Sequence, residues 1–337
     1  MNRMSTSGIG RLGVSVANRA IVFGAATVAD LLRTAELADA SGVFDSVWVG
    51  DSLLAKPRLD SIALLSAIAV RTQRVRLGPA CFASFPLRHP IVLAYQWASL
   101  DVLSEGRTIM VACIGGGTEK GSGHFHDEYA AMGIEPRERA ARMEEGIAIL
   151  RKLWTGDHVD HEGAYYRFRE VTLAPKPVQR PCPPIWITAN PHSVGVRSDK
   201  VVERLFRRVA TLGDGWMTAG VTPSEFADDL VQLRRYLLEA GKDDRYFPTS
   251  IHYMINVNPS ERQALEEHSR FLHAYYDFDW PQEKLDTRTA YGPPAKCAEA
   301  ILAYFEAGLS TISLRFTSWD QVGQVRRFID EVVPRLS

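Results

Sequence analysis

The chain has only four cysteines in 337 residues, Cys81, Cys113, Cys182 and Cys297, and none of them forms a C-x-x-C pair. That scatter excludes a cysteine zinc site and a disulfide framework, and it fits a reducing, cytoplasmic compartment. Charge of one sign is missing too: 39 Lys and Arg against 40 Asp and Glu leave a formal net charge of −1. No overall field draws such a chain to nucleic acid or to an anionic membrane. There is no run of about 18 apolar residues of the kind that spans a bilayer. The opening "MNRMSTSGIGRLGVSV" lacks the apolar centre of a signal peptide. No G-x-G-x-x-G follows the first strand, so the dinucleotide fingerprint is absent, and no G-x-S-x-G nucleophile elbow occurs. The pairs His124/His126 and His158/His161 lie in a Gly/Ser loop and in the polar hairpin "TGDHVDHEGAYY". A metal centre needs further ligands from other strand ends, so no metal is expected.

What remains is the composition of a globular protein with a large core, 46% hydrophobic and 23% charged. Eight apolar, strand-like runs, at 11–16, 46–49, 75–81, 108–114, 185–189, 215–218, 251–257 and 311–316, alternate with amphipathic stretches. "TVADLLRTAELADASG" begins on Thr27 with Asp30 three residues on and ends at Gly42, the grammar of a capped helix. Thr222, Pro223, Glu225 and Gly241 repeat it, as do Asn258, Pro259 and Glu261. Strand–helix alternation argues for parallel strands wrapped by helices. Eight such units predict a (β/α)8 TIM barrel, an α/β fold formed as one domain over residues 1–337. Three connections, 115–136, 191–200 and 258–294, exceed what a barrel needs. They follow strands 4, 5 and 7, on the face where such barrels keep their active sites.

Two of these loops suit an anion. Gly115, Gly116 and Gly117 leave backbone N–H groups free to converge, with no Cβ in the way. After strand five come Ala189 and Asn190, then Arg197, and a helix starting near Lys200 with Ser198 or Asp199 as cap. A helix N-terminus with added cations attracts phosphate. The third strand is odd. In "RVRLGPACFASFPLRHP", Gly78 and Pro79 interrupt a core strand, and small residues follow, as though something needs room there.

The segments "FDSVWVGDSLL", "RVRLGPACFASFPLRHP", "LDVLSEGRTIMVACIGGG", "PPIWITANP" and "LGDGWMTAG" occur in the order found in the bacterial luciferase-like, flavin-dependent oxidoreductases, and the resemblance covers nearly the whole chain. It implies a luciferase-like barrel binding reduced FMN or, in one large branch, the deazaflavin F420. It further implies a cis peptide between Ala80 and Cys81 behind the flavin ring. The phosphate cradle maps to Gly115, Gly116, Gly117, Ala189 and Asn190, with Arg197 and Lys200 in support, because Ile114 stands where luciferases carry an arginine.

The family's histidine after the strand-two acid is replaced: Asp51 is followed by Ser52. Proton transfer is therefore expected from Asp51, His124 or His126, with Ser52 only orienting or relaying. Trp48, Phe82, Arg315 and Trp319 are expected to line the substrate pocket. Tyr275, Tyr276 and Trp280 are candidates for an aromatic lid, and His252 and Tyr253 read as structural. The leading functional reading is an FMN monooxygenase, fed reduced FMN by a separate flavin reductase and using O2 on a small organic substrate. The alternatives are an F420-dependent hydride-transfer enzyme and a non-catalytic flavin-binding protein. A homodimer through the helices beside strands two to four, including "LDSIALLSAIAV", is expected from the resemblance.

Overall fold

In the computed structural model, residues 10–116, 124–192 and 198–336 are described. Eight parallel strands close a barrel: β1 (Arg11–Val16), β2 (Phe44–Val49), β3 (Arg76–Pro79), β4 (Met110–Ala112), β7 (Ile185–Thr188), β8 (Trp216–Ala219), β9 (Thr249–Val257) and β11 (Thr311–Phe316). Hydrogen-bonded order runs β3-β2-β1-β11-β9-β8-β7-β4, and the bridges Leu77–Thr108 and Phe82–Ala112 join β4 back to β3. The remaining strands are the antiparallel hairpin β5 (Val159–Glu162) and β6 (Arg167–Val171), and β10 (Ala290–Gly292) beside β9. Every barrel strand expected from the sequence is present. β3 is shorter than expected, because regular pairing stops at Pro79, which has no N–H for the ladder.

Alternation along the strands sorts the core into two layers. Leu12, Val14 and Val16 of β1 face the surrounding helices, while Gly13 and Ser15 face the lumen. The lumen is packed by Trp48, Ile109, Val111, Trp186 and Met217, with the Trp48 and Trp186 rings 5.8 Å apart. Trp48 donates its indole N–H to Ser46 Oγ at 2.9 Å, which satisfies the one polar atom of this layer's largest side chain.

The helices start where local chemistry tells them to. Capping boxes at Thr27/Asp30 and Thr222/Glu225 open α1 (Val28–Ser41) and α7 (Pro223–Glu239). The helix after β9, α8 (Glu261–Tyr276), is capped by Ser260 and not by Asn258. The Asn258 N–H is still paired to Gly292, and its side chain accepts the Ser260 N–H at 2.9 Å, so it makes the preceding turn. Among the described residues, no helix is long and apolar enough to cross a membrane.

His268 anchors α8 over the barrel mouth. It is fully buried, with Nδ1 2.6 Å from Thr317 Oγ1 and Nε2 3.0 Å from Thr289 Oγ1. Burial lowers its pKa from 6.5 to about 3. A histidine depressed in the folded state supports stability above its unfolded pKa and loses that support as pH falls towards the folded value. Stability is therefore expected to fall from about pH 6.5 downwards, by about 1.4 kcal/mol at pH 5.5 from this group alone. Urea unfolding of a His268→Gln variant measures it: the difference from wild type should change by that amount between pH 7.5 and 5.5.

Candidate functional site

The irregular end of β3 forms one wall of the barrel mouth. The Ala80–Cys81 peptide is cis, as the resemblance implied. Ala80 and Cys81 are partly buried and pack on the Trp48 layer, so Trp48, 1% exposed, is the floor under this segment. Phe82 turns the other way. It packs edge-on against Phe85 and Trp97 at 6.3 and 6.0 Å, in the helix layer and away from the mouth.

Asp51, at the end of β2, braces the wall. Its Oδ2 accepts the Ser84 N–H at 2.7 Å, its Oδ1 accepts the Ser61 hydroxyl at 2.6 Å, and Arg88 lies 3.7 Å away. Ser52 is engaged as well, donating to the Lys56 carbonyl at 2.8 Å and accepting the Lys56 N–H at 3.3 Å. His124 and His126 stand at the start of α4 (Phe125–Ala131) with side chains 78% and 67% exposed, facing Asp127. The structure therefore does not bring the four residues expected to handle protons into one site.

The glycine loop lies where β4 ends. Gly115 has φ 79°, and a side chain on Gly116 would run into the Phe125 ring. Both positions require glycine, the first for its backbone and the second for space. Arg139, at the start of α5 (Arg139–Thr155), donates to the Gly116 carbonyl at 2.7 Å and brings a cation to this loop, a residue the sequence reading missed. Only its place in the fold shows it, because 23 residues separate it from Gly116. Gly117 and Arg197 lie outside the described residues. Ala189 is buried, and Asn190 Oδ1 accepts the Ala219 N–H at 2.9 Å, tying the end of β7 to β8. Lys200 is exposed in the first turn of α6 (Asp199–Leu212), which Ser198 caps.

Two thiols meet between these walls. Cys81 and Cys113 share a hydrogen bond, and it acts on them in opposite directions. The Cys81 thiol, with lesser help from Thr188 and the Gly115 N–H, draws the Cys113 pKa down against the opposing effect of burial, while Cys81 is pushed up.

The opposite side of the mouth is basic and aromatic. Arg315 of β11 is 2% exposed; its Nη2 donates to Ser15 Oγ at 2.8 Å and its guanidinium lies 4.4 Å from the Tyr275 ring. Lys56 and Arg58, on the loop after β2, and Arg19, after β1, complete the basic group. Lys56 Nζ sits 5.0 Å from the Tyr276 ring, and Tyr276 packs on Tyr275 and Trp280, so the candidate lid aromatics form one cluster. Trp319 packs edge-on against Phe271 under Arg270, beside that cluster. His252 is central in β9, in register with Ser313 and so on the lumen side with Arg315. Among the described residues its buried Nδ1 has no hydrogen-bond partner, and burial together with Arg315 and Arg58 holds its pKa well below 6.5. It was read as structural because the strand seemed to start at 251, whereas β9 begins at Thr249. The basic residues were legible only as scattered single charges.

Comparison with known proteins agrees with this architecture. The luciferase-like monooxygenase family profile matches residues 11–311. An F420-dependent glucose-6-phosphate dehydrogenase of Nakamurella multipartita is 31% identical over 73% of this chain and 68% of its own. The oxygenase component of a flavin-dependent trigonelline monooxygenase from Acinetobacter baylyi is 30% identical over 50% of this chain and 46% of its own. Among solved structures, an F420-dependent secondary alcohol dehydrogenase in complex with an F420-acetone adduct superposes with a TM-score of 0.78 at 19% identity, over 98% of this chain and 99% of that one, a likeness of fold. The chain belongs to the luciferase-like monooxygenase family, whose named relatives here are F420-dependent dehydrogenases and flavin-dependent oxygenases.

Proposed function

We propose that the chain is an F420-dependent oxidoreductase exchanging a hydride with the carbinol carbon of a small-molecule substrate, without O2. One observation carries this over the FMN reading. An F420-dependent relative aligns with 73% of the chain, whereas the flavin monooxygenase relative aligns with half of it.

The residues present fit a tricyclic cofactor with a phosphate-bearing arm. The partly buried Ala80–Cys81 wall has small side chains, and Gly115 and Gly116 are held to bare backbone by Tyr129 and Phe125, which a Cβ at either position would meet. When bound, F420 supplies the hydride chemistry. The rest falls to this chain. Asp51 holds the wall against which the ring would rest. Gly115, Gly116 and Arg139 would hold the phosphate. His252, neutral and with Nδ1 unpaired, would take the hydroxyl proton when an alcohol is oxidised. Packing of Tyr275, Tyr276 and Trp280 over the mouth would keep water out.

A second reading, an FMN monooxygenase supplied by a separate reductase, is favoured by the Acinetobacter baylyi relative. The proposal includes pairing of two copies through α3 (Pro90–Leu103), which leaves Val92, Tyr95, Val102 and Leu103 exposed. In "LDSIALLSAIAV", Ile62, Leu64, Leu65 and Ile68 are buried within the subunit, and Val70 is left exposed.

The test is anaerobic. The apoprotein with oxidised F420 and a panel of primary and secondary alcohols, including sugar phosphates, should reduce F420 in a substrate-dependent way. Absence of reduction by every alcohol, with substrate-dependent O2 uptake when reduced FMN and a reductase are supplied, would establish the second reading instead.

A further inference from the structure

We infer that the β1–β2–β9–β11 side of the barrel mouth is a binding site for an oxyanionic group of the substrate, with a phosphate monoester the best match in charge, formed by Arg19, Lys56, Arg58 and Arg315. The inference rests on the proposed function and names its substrate class.

Four cations converge here, and among the described residues no carboxylate forms an ion pair with any of them. Elsewhere the chain pairs its arginines freely, as Arg88 with Asp60 and Arg288 with Glu225, both at 2.7 Å. Here the direct contacts are neutral, and Asp277 acts on Arg19 only from beyond ion-pair distance. Arg315 meets the Ser15 hydroxyl, the Tyr275 ring and the Tyr276 side chain, and among the described residues its buried Nε has no partner. Arg19 Nε is likewise buried without a partner among the described residues. Arg58 donates to the Lys56 carbonyl at 2.9 Å and reaches the Tyr275 hydroxyl at 3.5 Å. Unpaired buried charge is costly, and like charges held together add to the cost. The crowding registers on the most titratable member: burial, then Arg58, Arg19 and Arg315, bring Lys56 down to about 8.

The arrangement is built into the fold. The Asn18 amide donates to the Gly50 and Leu59 carbonyls at 2.9 and 3.0 Å and accepts the Gly50 N–H at 3.0 Å, locking the loop of Arg19 to the loop of Lys56 and Arg58. A side chain on Gly50 would collide with the Arg58 guanidinium, so glycine there lets Arg58 lie against the strand end.

Topology separates Arg19 and Arg315 from the cofactor's phosphate cradle, while Lys56, whose Nζ also lies 5.8 Å from the Phe125 ring, stands between the two. In the closed ring of eight strands, β1 and β11 stand diametrically across from β7 and β4, which carry the glycine loop and Asn190. A cofactor anchored at the glycine loop leaves the basic side open to the substrate. His252 lies on that side. An oxyanion neutralising Arg315 and Arg58 would restore the basicity that those two cations take from it.

The test uses the F420-loaded protein and inorganic phosphate as probe, followed by calorimetric titration and by thermal melting against chloride at matched ionic strength. Phosphate should bind one to one and raise the melting temperature beyond the effect of chloride. Lys56→Met and Arg315→Met should each weaken phosphate at least ten-fold while melting no lower than wild type without phosphate, because an uncompensated charge has been removed. F420 affinity, read by its fluorescence, should stay within two-fold in both variants. The inference is overturned by a phosphate effect no larger than that of chloride, by unchanged phosphate affinity in both variants, or by loss of phosphate binding once F420 is loaded. Acetate binding as tightly as phosphate would overturn the phosphate assignment. Failure of F420 to bind would instead sink the proposed function, and the phosphate titration of the apoprotein would still report on the basic group.

Discussion

Replacing Asp51 by alanine should destabilise the protein by about 3 kcal/mol and weaken cofactor binding at least ten-fold, with the loss of affinity persisting at temperatures where the variant is fully folded. The carboxylate is 6% exposed and both its oxygens are occupied, by the backbone N–H of Ser84 and the hydroxyl of Ser61, themselves 0% and 1% exposed. Alanine leaves two buried donors without acceptors, at about 1–3 kcal/mol each. Arg88 also loses a carboxylate 3.7 Å away, although Asp60 at 2.7 Å retains it. The freed segment is the one that follows the Ala80–Cys81 wall, so the cofactor's resting surface loses its brace. Urea unfolding and a cofactor titration measure the two effects. Normal stability with an altered pH–rate profile would contradict this account and return Asp51 to the proton-transfer role expected from its place in the sequence.

Gly78→Ala is the second large effect. A single added Cβ would lie 2.3 Å from the Ile109 carbonyl oxygen and 2.9 Å from the Trp48 ring. Neither neighbour can retreat: Ile109 is bridged to Leu77 through backbone hydrogen bonds, and the Trp48 indole is fixed between Ser46 and Trp186. Overpacking of a rigid core costs about 1–3 kcal/mol, more where backbone must move, so a loss of at least about 3 kcal/mol is expected. Gly24→Ala is the control. Gly24 has φ 73° and open space around it, so alanine there should cost only about 1–2 kcal/mol, the left-handed penalty alone. Gly78 itself has no positive φ, so a loss there no larger than at Gly24 would show that the core yields to the added Cβ and overturn the collision account.

Gly78 also shows how far the sequence could be read. Gly-Pro inside an apolar run signals a disturbed strand, because both residues are out of place there for local reasons. That the disturbance faces the barrel mouth, with Trp48 as its floor, depends on residues thirty positions away. Thr27 and Thr222 illustrate the same contrast. Their capping boxes were legible because a cap and its partner are three residues apart, whereas Asn258 was misread because Gly292, at the end of β10, holds its N–H and extends the β9–β10 pairing one residue. His124 and His126 drew notice as an H-x-H pattern, yet the helix they open points them outwards. His252 drew none, since one histidine in a strand looks the same whichever face it occupies.

By itself the sequence determined the barrel, its strands and the position of the glycine loop, because side-chain alternation, helix caps and glycine freedom act over a few residues. It also carried the family, through short segments kept in order. Only the tertiary structure decided which polar groups share the mouth. Ser15 and Arg315, 300 residues apart, touch because β1 and β11 close the ring, and Lys56 and Arg58 face them from the next strand's loop. Burial and charge pairing are properties of such distant neighbours, so no local pattern announces a basic cluster whose members lack ion-pair partners among the described residues.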